Sequence, residues 1–148
     1  MLREIFDLKN IKLNLEGTTK ADVFEELIGT ITGQNSELNP SELLSAVSLR
    51  ESKMNTRIMP GIAIPHGYCR TINGIIGAIG FSRSGIEYYS DERGDPVHLF
   101  FMILMDESSR EQHLQVLSHL LELINSEDFS VIRELRNPQE LYSLISHY

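Results

Sequence analysis

The run Val97-His-Leu-Phe-Phe-Met-Ile-Leu-Met105 constrains the fold more than any other stretch of the chain. It has the length of a strand and is apolar at nearly every position, so it has no polar face to offer water. Such a strand belongs at the centre of a sheet, covered on both sides. It is too short to cross a bilayer, which takes roughly 20 apolar residues. Elsewhere the chain alternates between helical and extended patterns. Val23, Phe24, Leu27, Ile28 and Ile31 recur at helical spacing behind Thr19 and Asp22, which resemble an N-cap pair, and Gly33 closes that helix. Asn39-Pro40-Ser41-Glu42 opens a second helix, with Leu43, Leu44 and Val47 on its apolar side, ending near Glu51.

Two further extended segments are expected. Ile11–Leu15 alternates weakly, and Gly74–Ser82 reads as a buried strand whose glycines admit close neighbours. Asp91–Pro96 is a turn. Ser108 or Ser109 should cap a long helix to about Asn125, with Glu111 or Gln112 completing a capping box. A short helix over Glu127–Arg136 and a last one capped by Asn137-Pro138 complete the chain. Interleaved strands and helices predict an α/β sandwich in a single domain over residues 1–148.

Composition narrows the function. A net charge of −8 over 148 residues argues against binding nucleic acid through bulk charge, and favours basic protein partners or plain solubility. One cysteine, Cys69, excludes an internal disulfide and a thiolate-rich metal site. The charged start, Met-Leu-Arg-Glu-Ile-Phe-Asp, lacks a secretory apolar stretch, so a cytoplasmic location is expected. No phosphate-cradling glycine loop of the nucleotide type is present, so ATP is not the expected donor of anything. No cofactor and no metal are expected.

Chemistry concentrates around Gly61-Ile-Ala-Ile-Pro-His-Gly67. Pro65 fixes its own φ and restricts Ile64, so the backbone arrives at His66 stiffly. Gly67 permits a sharp exit and lets a partner's backbone come close. This is a rigid mount for an imidazole with one nitrogen facing outward; a loop histidine without a role is the competing reading. His113 is the second candidate. At about 100° per residue, Leu117, Leu120, Leu121 and Ile124 lie within about 80° of its direction, putting it on the buried stripe at the helix's first turn. There it could donate a hydrogen bond to an anion, or serve as a satisfied histidine at the core edge. His119 points about 120° away, toward solvent. Arg50 could grip a phosphoryl group or simply assist its helix end. Thr56 could offer a hydroxyl to an oxyanion, or be a structural threonine at the start of a strand. His98 reads as a core or sheet-face residue. His66, His98 and His113 lack a zinc-ligand spacing.

Together, Leu49-Arg-Glu-Ser-Lys-Met-Asn-Thr56, the proline-histidine motif, Asp95-Pro-Val97, His113-Leu-Gln-Val-Leu117 and Glu140-Leu-Tyr142 resemble the IIA component of the bacterial phosphoenolpyruvate-dependent phosphotransferase system. The branch is the one with fructose, mannitol and nitrogen-regulatory types, and the resemblance covers essentially the whole chain. It implies a mixed parallel and antiparallel sheet of about five strands with helices on both faces. It also implies that His66 is phosphorylated, with His113 the second active-site histidine, Arg50 beside the site and Thr56 the threonine preceding the motif. The implied donor is the phosphocarrier HPr or its nitrogen-branch counterpart; the recipient is a IIB component or a regulated protein. A chain without an attached IIB part leans toward the nitrogen-regulatory type. Arg57, Met59 and Pro60 replace the small residues common before the motif, and are expected to alter what surrounds His66. A member that binds partners without being phosphorylated is a third reading.

Overall fold

The structure, a computed structural model, describes residues 1–88 and 94–148. In chain order the elements are α1 (Leu2–Ile5), β1 (Ile11–Lys12), α2 (Lys20–Gln34), α3 (Pro40–Lys53), β2 (Arg57–Met59), β3 (Ile62–Ala63) and β4 (His66–Tyr68). β5 (Ile75–Ile86), β6 (Val97–Met105), α4 (Arg110–Ile124) and α5 (Pro138–Ile145) follow, with a 3₁₀ stretch over Glu127–Glu134 where a short helix was predicted. The Ile11–Leu15 strand is shorter than its alternation suggests, and residues 91–93 of the expected turn lie outside the described residues.

The sheet is six-stranded and mixed, in the order β1-β5-β6-β3-β2. β4 also pairs with β6, so β3 and β4 lie in turn along one edge of that strand, both parallel to it. β5 runs antiparallel along the other edge. β6 is therefore hydrogen-bonded on both edges, and it is buried everywhere but His98. Its side chains divide between two layers. Leu99, Phe101, Ile103 and Met105 pack with residues of α1, α4 and α5, while Phe100, Met102 and Leu104 pack with those of α2 and α3. Helices on both faces explain why the run carries no polar alternation. The close neighbours expected at the β5 glycines are present: a Cβ on Gly77 would lie 2.4 Å from the Phe6 ring.

Local capping sets the helices that carry the site. Thr19 and Asp22 form the reciprocal capping box, and Asn39 Oδ1 accepts from the Ser41 and Glu42 amides. The cap of α4 differs from expectation. Ser109 occupies the N-cap position but makes no side-chain cap bond. Its hydroxyl and that of Ser108 both donate to Asp106 Oδ1, at 2.7 and 2.8 Å, and Gly74 N–H donates to Oδ2 at 2.9 Å. Both hydroxyls thus act as donors to an ionised carboxylate, a strong acceptor, and neither oxygen is turned to accept from the amides of the helix start. The Gly74 amide, then the two serines, hold the Asp106 carboxyl down at about 2. Asp106 thus ties the end of β6 to the start of α4.

Candidate active site

The backbone delivers His66 from a strand rather than a loop. β4 begins at His66, whose register partner on β6 is Ile103, and Pro65 O accepts Ile103 N–H at 2.9 Å just before it. The His66 Nδ1 lies 2.9 Å from the Ile64 carbonyl oxygen. A carbonyl can only accept, so Nδ1 carries the proton and, in the neutral ring, Nε2 holds a bare lone pair. Burial lowers the pKa of His66; the Ile64 bond works against this, as does Glu51, while the charge of Arg50 adds to it. The ring is half-buried and neutral at physiological pH.

Gly67 has an ordinary φ, unlike Gly61 at 86°. Its role is close approach, and the backbone it admits is the protein's own. A Cβ there would lie 2.8 Å from the Ala46 carbonyl carbon and 2.9 Å from the Val47 amide nitrogen, both in α3. The helix bearing Arg50 is thereby seated directly on the strand bearing His66. Gly67→Ala is expected to push α3 off β4 and cost about 1–3 kcal/mol. Urea unfolding measures this, and an unchanged midpoint would show that α3 moves aside freely.

His113 comes to the same place from α4. Its ring centroid is 5.2 Å from that of His66, with the planes tilted by 37°. It is 8% exposed, as the stripe argument predicts, but the stripe is rotated: Val116, Leu120, Leu123 and Ile124 are buried, whereas Leu121 is 44% exposed. His119 is half-exposed, 3.8 Å from Glu122. Burial first, then the neighbouring His66 and Arg50, push the pKa of His113 down to about 4. Its Nδ1 is buried with no hydrogen-bond partner among the described residues.

Arg50, in the last turn of α3, donates from Nη1 to Met54 O at 2.7 Å, and its charge acts on both imidazoles. The guanidinium is thus bonded at the end of its helix while lying near enough for its charge to reach both rings. Thr56 is brought close but not turned as expected. Its buried Oγ1 donates to Glu51 Oε2 at 2.7 Å and accepts from the Tyr88 hydroxyl at 3.0 Å, so it does not face the imidazoles as a free donor. Arg57 and Met59 form β2 against β3, with Arg57 Nη2 3.7 Å from Asp95. They sit on the hairpin before the motif, and neither pairs with β4. His98, at the far end of β6 from His66, shares its Nδ1 proton with Ser82 O at 2.8 Å. Burial pushes the Cys69 thiol up to about 11, which leaves it a weak nucleophile.

Sequence reasoning missed Glu51 and Tyr88. Glu51 had a signal: it stands four residues after Val47 and eight after Leu43, on the buried side of α3, where a carboxylate needs donors. Tyr88 carried none.

One unprotonated imidazole nitrogen beside a second neutral imidazole and a guanidinium, at the end of a mixed sheet, is chemistry suited to a small group-carrier protein. The chain belongs to the family described as "Phosphoenolpyruvate-dependent sugar phosphotransferase system, EIIA 2", which matches residues 4–148. It is a IIA phosphoryl-transfer component of that system. It is 35% identical over 128 residues to the fructose-specific EIIABC component of Bacillus subtilis (strain 168), covering 86% of this chain and 20% of that protein, so the chain spans about a fifth of that relative. A nitrogen regulatory protein of Bradyrhizobium diazoefficiens is 29% identical over 136 residues, covering 89% of this chain and 86% of the other. The crystal structure of nitrogen regulatory protein IIA-Ntr from Neisseria meningitidis superposes with a TM-score of 0.86 at 26% identity, covering 97% of this chain and 98% of that one. No helix among the described residues is long and apolar enough to cross a membrane.

Proposed function

We propose that His66 is the phosphoryl acceptor of this phosphocarrier and that it reacts through Nε2. The observation carrying this reading is the Nδ1–H bond to the Ile64 carbonyl, which leaves Nε2 as the free nucleophilic nitrogen. In the transfer, a bond forms between His66 Nε2 and phosphorus as the bond from phosphorus to the donor's imidazole nitrogen breaks. The donor ring keeps that electron pair, and the three phosphoryl oxygens pass over unchanged. His113 donates a hydrogen bond to one of those oxygens, and Arg50 offers a further cationic grip. Thr56 contributes through its backbone, since its hydroxyl is already engaged.

The donor in this reading is a protein, HPr or its nitrogen-branch counterpart. Exposed apolar residues next to the site residues support that: Leu49 beside Arg50, Leu114 beside His113, and Tyr68 two positions along β4 from His66. We assign the chain to the nitrogen-regulatory type, on its likeness to the Neisseria protein over nearly the full length of both chains. The second reading, a fructose-type relay to a IIB component, is favoured by the higher identity to the Bacillus protein.

Incubation with phosphoenolpyruvate, enzyme I and HPr, or with the nitrogen-branch pair, tests both levels. Intact mass should show an acid-labile gain of one phosphoryl group, and faster loading from the nitrogen-branch donors would support the regulatory type. No gain with donors that load another IIA protein would overturn the proposal.

A further inference from the structure

A carboxylate buried in a protein is costly unless donors surround it. Glu51, 8% exposed near the end of α3, has three. Thr56 N–H and Lys20 Nζ donate to Oε1 at 3.1 and 3.2 Å, and Thr56 Oγ1–H donates to Oε2 at 2.7 Å. The arrangement is held from outside as well. The Lys20 ammonium sits 4.0 Å from the centroid of the Tyr88 ring, and the Tyr88 hydroxyl donates back to Thr56 Oγ1. Glu51 therefore gathers α2, α3 and Tyr88, two residues past β5, onto the backbone at Thr56.

That backbone leads to the reacting ring. Thr56 C=O accepts Ile64 N–H at 3.0 Å, and Ile64 C=O accepts His66 Nδ1–H at 2.9 Å. Both polar groups of Ile64 are thus committed, one toward Glu51's network and one toward the imidazole. Where the Ile64 carbonyl points decides which nitrogen of His66 keeps the proton. The alternative neutral form carries the proton on Nε2 and has no lone pair there to attack phosphorus.

We propose that Glu51 is a positioning residue for His66: with Lys20 as its counter-ion it fixes Thr56, and through Thr56 and Ile64 it holds the imidazole in the Nδ1–H form. The inference rests on His66 as acceptor for its catalytic consequence, though not for its structural content. The ring's tautomer can be read without any phosphoryl donor.

The experiment uses full-length protein with ¹⁵N-labelled histidine. Long-range ¹H–¹⁵N correlation spectra report the His66 tautomer above neutral pH, and timed intact mass reports loading by limiting HPr or its nitrogen-branch counterpart. In Glu51→Gln and Thr56→Val the Nε2–H form should become populated, and loading should slow by about 10- to 100-fold. Thr56→Ser, which keeps both the hydroxyl and the amide, should restore wild-type values. Ile145→Ala, on α5 and remote from the site, controls for lost stability and should leave the tautomer unchanged. If folded Thr56→Val or Glu51→Gln protein keeps His66 wholly in the Nδ1–H form, the proposal is overturned, whatever the rate does. A tautomer shift with an unchanged rate would count against His66 as the acceptor while leaving its placement by Glu51 intact.

Discussion

A His66→Ala protein is expected to fold and to take up no phosphoryl group from donors that load the natural chain fully. The folding half follows from what the ring touches. His66 is half-buried at the start of β4, and among the described residues its ring hydrogen-bonds the Ile64 carbonyl. Losing that bond costs about 1 kcal/mol. The ladder beside it, from Ile103 N–H to Pro65 O and along β4, needs no imidazole. The chemical half follows from what is left. His113 is enclosed, and its pKa near 4 reflects a ring shut off from solvent more than one poised to attack a partner's phosphorus. His98 stands at the other end of β6, and His119 lies on the outer side of α4. Acid-labile mass gain in the variant, measured with its circular dichroism, gives the answer. Loading at the natural rate would move the acceptor to another residue and remove the basis for the mechanism proposed above.

The parts of the fold that were legible in the sequence are those whose cause is local. The apolar run at Val97–Met105 dictates a strand covered on both faces, and Thr19 with Asp22 dictates a helix start, because each depends on residues within a turn or a pleat. Helix phase likewise placed His113 at the edge of the core. Helix phase alone left Leu121 on the wrong side of the boundary, since it lies about 80° from His113 and a small rotation of α4 decides between burial and exposure. What stayed hidden depends on partners far along the chain. Of the two serines expected to cap α4, Ser109 takes the N-cap position, but its hydroxyl turns to Asp106, a carboxylate that Gly74 also holds from 32 residues away. Of the two roles open to Thr56 the structural one holds for its hydroxyl, and Tyr88, one of the partners that decide it, is also 32 residues away. At Gly67 close approach is legible, but the backbone that arrives is that of α3 in the same chain and not the partner's that the sequence suggests. In each case the side chain's type was informative and its direction was not.

For His113 the expected result is a fall of about 10²- to 10³-fold in loading rate on replacement by alanine, the loss usual when one donor to a developing oxyanion is removed. The phosphorylated form should also be shorter-lived. The argument begins from an unusual state of the free protein: a neutral imidazole whose Nδ1 is buried with no partner among the described residues. An unmet N–H of that kind costs stability, and an acceptor facing it would repay that cost. A phosphoryl group on His66 brings negative charge close to a ring whose centroid lies 5.2 Å from that of His66. That negative charge opposes the effects that disfavour the imidazolium in the free protein. In the free protein burial, His66 and Arg50 all disfavour the imidazolium, holding the pKa near 4. An adjacent anion favours it, so the pKa should rise on phosphorylation. Histidine NMR titrations of the two forms measure that rise directly. His113→Gln, which keeps an N–H donor but cannot titrate, should recover part of the rate and lose whatever pH dependence the imidazole confers. If His113→Ala folds and loads at the natural rate, with an unaltered phosphohistidine lifetime, the residue is a packing histidine, and Arg50 is left to hold the phosphoryl oxygens.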